Sequence, residues 1–163
     1  MFKTSRDGSG AVAEPNPMFA RRTALIIWGA LFAGVVIFAV VATVVGPNFW
    51  PQGGQIADLL AWVALGMALV MLPVSRVVPS RIKATPGAPP EALAVARTIV
   101  ATALNEGAGL FAGIAWMLGG RTLALVALAI ALSGLLLAFP STARWQRLSG
   151  TTVQAERPNR LVR

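Results

Sequence analysis

Residues 23–46 read TALIIWGALFAGVVIFAVVATVVG, a run without a single charged side chain. A helix needs about 20 apolar residues to cross the hydrocarbon layer of a bilayer, and this stretch supplies them. It is too long for the apolar core of a cleaved signal peptide, and about twenty polar or mixed residues precede it, so it reads as a signal anchor.

Working outward, three further apolar stretches follow. The spacing predicts spans over about 23–46, 56–76, 95–119 and 121–143, with Asn105 and Glu106 as the polar interruptions of the third. Composition agrees. Of 163 residues, 56% are hydrophobic and 12% charged, and the mean hydropathy is +0.69. Soluble domains carry about twice that share of charge. Residues 21–145 are therefore expected to form one membrane domain. The segments 1–20 and 146–163, which lack apolar periodicity, are expected to be flexible cytoplasmic tails, the second one basic.

Several chemistries are excluded by what is missing. There is no Cys, no His and no Tyr. Disulfides, zinc sites, iron–sulfur clusters and His-ligated haem lose their ligands, and no Ser-His or Cys-His pair can activate a nucleophile. No metal site and no cofactor are expected, and no enzyme activity.

The net charge of +8 has a topological reading. Lys3, Arg6, Arg21 and Arg22 precede the first span, and Arg76, Arg81, Lys83 and Arg97 lie between the second and third. Arg144, Arg147, Arg157, Arg160 and Arg163 follow the fourth, which leaves Arg121 alone for the opposite side. Such Lys/Arg bias marks the cytoplasm, so both termini are expected inside, in a multi-pass protein of the cell inner (cytoplasmic) membrane. Nucleic acid is not an expected partner, because a groove-binding module would need a soluble domain. Trp50, Trp62 and Trp116 fall near the outer boundary and Trp28 and Trp145 near the inner one, the depth indoles favour. Asp58 stands at the outer mouth of the second span, where a helix N-terminus favours an anion. Pro90-Glu91 marks the start of a helix running into the third span.

An internal repeat is also visible. With an offset of 73, Ile26, Ala30, Gly34, Phe38, Ala42 and Gly46 meet Ile99, Ala103, Gly107, Phe111, Ala115 and Gly119; with an offset of 67, Ala64, Leu69 and Pro73 meet Ala131, Leu136 and Pro140. The expected fold is all-α: a four-helix transmembrane bundle of two repeated hairpins, related by an axis along the membrane normal.

Glu106 is the one charge inside the expected hydrocarbon zone. Thr102, Glu106, Gly109 and Gly113 share a helical face, so the carboxyl is expected to point into a helix contact. A tight Gly119-Gly120 turn sets the second hairpin's register so that residue numbers at equal depth sum to about 239. Ser133 and Thr102 then become the expected hydrogen-bond partners of a protonated Glu106, with Asn105 beside them. Gly109 with Gly113, and Ala30 with Gly34, form small-xxx-small pairs that let backbones approach closely, either within the bundle or between chains.

Ala103-Leu104-Asn105-Glu106-Gly107, followed by Leu110-Phe111, resembles the carboxylate helix of the proton-ring (c-type) subunits of rotary ATPases. The likeness implies an ion-binding role for Glu106. In that family the acid stands on the second helix of a hairpin, whereas here it stands on the first. The whole chain more loosely resembles small four-helix membrane proteins of bacteria, which implies no activity. Two functions follow as expectations. One is a non-enzymatic accessory or assembly subunit, bound to the bilayer and to other membrane proteins or copies of itself. The other is a proton or ion translocation component using Glu106 as the titrating carboxylate.

Overall fold

A computed structural model describes residues 17–49 and 54–149. The chain forms α1 (Pro17–Phe49), α2 (Gln55–Arg81), α3 (Pro90–Gly119), α4 (Thr122–Leu137) and α5 (Thr142–Ser149), with no strand among the described residues. α1, α2 and α3 are each long and apolar enough to cross a membrane; α4 qualifies only when joined to α5, from which it is bent by 71°.

The helix ends follow from local chemistry. Pro17 opens α1 and Pro90 opens α3, where a missing N–H costs nothing. Gly120 closes α3 in the left-handed region at φ 58°, its N–H donating to Trp116 O at 2.7 Å. α2 absorbs Pro73 and Pro79 and runs to Arg81. Pro140 acts differently, because α4 stops at Leu137 and the chain turns through Ala138–Ser141. Proline cannot donate and disfavours helical geometry in the residue before it. At 16 residues α4 is about 24 Å long, short of the roughly 30 Å hydrocarbon thickness. The uninterrupted span expected over 121–143 is thus a short helix followed by a corner. The expected tails are also shorter than read from sequence. Residues 17–20 belong to α1, and 146–149 belong to α5, whose Trp145 packs with Ala24 and Ala94. Trp50 and the rest of both tails lie outside the described residues.

α3 is the hub. It packs against α1, α2 and α4, and α2 packs against α4, while α1 meets α4 only lightly. α1 seats on α3 rather than on α2, its neighbour in sequence. A twofold relating the hairpins would pair α1 with α2 as α3 is paired with α4, so the packing does not display the symmetry that the sequence repeat led one to expect.

Residue size is sorted in the reverse of a soluble core. The buried apolar set is almost all alanine: Ala57, Ala61, Ala64 and Ala68 on α2, Ala101, Ala108, Ala112 and Ala115 on α3, and Ala124, Ala127 and Ala131 on α4. Large side chains such as Ile37, Val44, Leu59, Trp62, Val70, Ile114 and Leu136 face outward. In water such a surface would be an aggregation hazard. Against lipid, which is as apolar as leucine, close packing of small residues is what holds helices together. The exposure pattern, like the helix lengths, is that of a membrane protein.

Candidate functional site on the third helix

With three helices around it, α3 buries a wide arc comprising Thr98, Ala101, Thr102, Asn105, Ala108, Gly109, Ala112, Gly113 and Ala115. Asn105 sits near the middle of that arc and is 1% exposed. Its Nδ2 donates to Ala101 O at 2.8 Å, and its amide oxygen lies directly against Gly134 of α4, where a Cβ would collide with it. The numbers 105 and 134 sum to 239, so the register expected from the Gly119-Gly120 turn is present.

The azimuth differs from expectation. Glu106 is only partly buried, on the flank of the arc, and no hydrogen bond or ion pair joins it to any described residue. Neither of its expected partners bonds to it. Thr102 is fully buried and donates to Thr98 O at 2.8 Å; Ser133 is exposed and donates to Ala129 O at 2.8 Å. The physical reason is the breadth of the buried face. A single-neighbour stripe through Thr102, Gly109 and Gly113 would include Glu106, but contacts with α2 and α4 rotate the centre of burial to Asn105.

The glycines divide into two groups. Gly109 and Gly113 seat α1: a Cβ on Gly109 would come within 2.9 Å of Val35 Cγ1, and one on Gly113 within 2.6 Å of Phe38 Cε1. Gly46 faces Met117 and Gly119 faces Ala57 in the same way, at 2.9 and 2.6 Å. Gly34 and Gly107 have open space around them instead, and Ala30 and Gly34 are exposed on the outer side of α1. The first expected packing pair therefore works inside the chain. The second faces away from it.

Polar contacts at the ends were less visible in the sequence. At the expected outer end Arg121 Nε meets Asp58 Oδ1 at 2.7 Å and Arg121 Nη2 donates to Asp58 Oδ2 at 3.3 Å, tying the start of α2 to the α3–α4 turn. At the other end Arg97 of α3 donates to Ile82 O at 3.0 Å and Leu148 O at 3.4 Å. The carbonyls freed where α4 stops are also claimed. Leu135 O accepts from Trp28 Nε1 at 2.8 Å, Leu136 O accepts from Phe139 N at 3.1 Å, and Leu137 O accepts from Arg144 Nη1. Trp28 also stacks on Phe32 at 5.1 Å and meets Phe139 edge-on at 4.9 Å.

No cluster of His, Cys, Asp or Glu able to hold a metal occurs among the described residues. Comparison with protein families, with curated proteins and with solved structures found no match to this chain.

Proposed function

We propose that this chain is a non-enzymatic assembly or accessory component of the cytoplasmic membrane, crossing it four times with both termini inside, and that it joins other membrane helices through the outer face of α1. The observation behind this reading is the exposed small-residue pair Ala30 and Gly34, with open space over Gly34. Gly109 and Gly113 show what such pairs do in this fold, since helix α1 is drawn tightly onto them. Arg76, Arg81, Lys83, Arg97, Arg144 and Arg147 gather at one end of the bundle, whereas Arg121 at the other is matched by Asp58. That asymmetry supports the orientation.

The chain has no native cysteine, which makes the test direct. Single cysteines at Ala30 and Gly34 should crosslink to a neighbouring chain in native membranes, and Gly34→Leu should abolish the crosslinked or co-purifying species. If Gly34→Leu leaves the assembly size in mild detergent unchanged, the proposal fails. A cysteine placed at residue 3 should react with a membrane-impermeant thiol reagent only after the membrane is opened.

Translocation through Glu106 is the second reading, favoured by a carboxyl that finds no partner among the described residues. The buried Thr98, Thr102 and Asn105 each donate to their own helix, so a polar path would need groups from neighbouring chains. Glu106→Gln separates the two readings: assembly should survive it, and flux in liposomes should not.

A further inference from the structure

The corner after α4 makes a cleft. Because Pro140 stops α4 and α5 leaves at 71°, a shallow hollow of about 10 Å³, room for about one water, opens between α2 and the corner. Its lining includes Leu72, Ser75, Gly134 and Leu137, with the two guanidinium side chains Arg76 and Arg144. Ser75 donates to Leu72 O at 2.9 Å and Arg144 Nη1 to Leu137 O, which leaves the other guanidinium N–H groups available.

Two cations share this cleft without an acid. Among the described residues Arg76 and Arg144 make no ion pair, and the Asp58–Arg121 pair is at the opposite end. Arg76 and Arg144 line the same hollow, so the two like charges repel each other. An anion bound by both would offset that repulsion. Leucine beside guanidinium, at the corner where α5 leaves α4, matches one chemistry: a phosphate ester with an apolar chain attached.

We propose that Arg76 and Arg144 clamp the phosphate of an anionic phospholipid of the inner leaflet, with its acyl chain against Leu72 and Leu137. The proposal rests on the membrane reading above and not on the assembly role. Failure of the membrane reading is seen separately, as extraction of the chain without detergent.

The test uses the full chain in a mild zwitterionic detergent, with Tm followed as phosphatidylglycerol, phosphatidylcholine or inorganic phosphate is added. Phosphatidylglycerol should raise Tm by about 5 °C, and phosphatidylcholine should not. Arg76→Gln should remove the rise. Arg81→Gln, which deletes an equal charge five residues along the same helix, should keep it. Arg76→Lys, which retains the charge, should recover part of it and guards against a misfolded glutamine variant. Equal responses of Arg76→Gln and Arg81→Gln overturn the proposal, since diffuse charge then explains binding. An equal rise with inorganic phosphate, lost in Arg76→Gln, overturns the lipid assignment in favour of a free phosphate.

Discussion

Asn105 of α3 faces Gly134 of α4 so closely that the amide oxygen occupies the space where a side chain on residue 134 would begin. The amide itself is anchored to Ala101 O. Leu72 closes the third side, with its Cδ1 3.2 Å from the same position. A buried polar group, a glycine and a leucine from three helices thus meet at one point.

Gly134→Ala should therefore overpack this junction. The cost of forcing a methyl into a filled interface is about 1–3 kcal/mol, read as a lowered Tm in detergent. Asn105→Ala alone should cost less, since membrane hydrogen bonds contribute about 0.6 kcal/mol on average. The double variant should recover most of the Gly134→Ala loss. Additive losses would show that the two residues do not share the contact.

The glycines allow a sharper contrast. Gly113→Ala must displace the ring of Phe38, and Gly109→Ala must displace Val35, so each should lower stability by about 1–3 kcal/mol. Gly107→Ala and Gly34→Ala meet nothing within 4 Å. In a helix interior they should be neutral or stabilising by up to about 1 kcal/mol. Equal effects at all four sites would contradict the packing of α1 on α3.

Much of this arrangement is legible in the sequence, and the rest is not for identifiable reasons. Charge-free runs set where the long helices lie, and the glycine turn set the depth at which residue 105 meets residue 134. Depth depends on counting along the chain. Azimuth depends on how many neighbours a helix has, and nothing in residues 95–119 states that three helices surround α3. That is why Glu106 was expected in the contact that Asn105 occupies. The ion pair of Asp58 with Arg121 is no part of the sequence reading, although both charges fall at the expected outer end. Pro73 and Pro140 are matched by the 67-residue offset, yet one stays within a helix and the other follows the end of one. The repeat alone gives no means of telling them apart.

The Asp58–Arg121 pair should matter little at ordinary salt. Both side chains are about half exposed, and exposed pairs contribute roughly 0–1 kcal/mol. Asp58→Asn should lower Tm slightly at low ionic strength and negligibly at high salt, where screening removes the interaction. A large, salt-independent loss would mean that Asp58 supports α2 by another route.

Arg97 should matter more, because it holds two elements rather than one. Its guanidinium bonds Ile82 O beyond the end of α2 and Leu148 O near the end of α5. Charged donors on carbonyls contribute about 1.5–3 kcal/mol where the group is withdrawn from water. A cation near the last carbonyls of α5 also opposes the negative end of that helix. α5 is held as well by the packing of Trp145 on Ala24 and Ala94 and by Arg144 on Leu137 O. Arg97→Ala should therefore loosen α5 while leaving α1 to α4 folded. Limited proteolysis should then cut between Ser141 and Ser149 at a concentration of protease that leaves the wild type intact, and Trp145 emission should shift to the red. Arg97→Lys, a point charge unable to reach both carbonyls, should give an intermediate cleavage rate. Cleavage spreading into α4, or no change in either signal, would show that Arg97 is not what holds the corner closed.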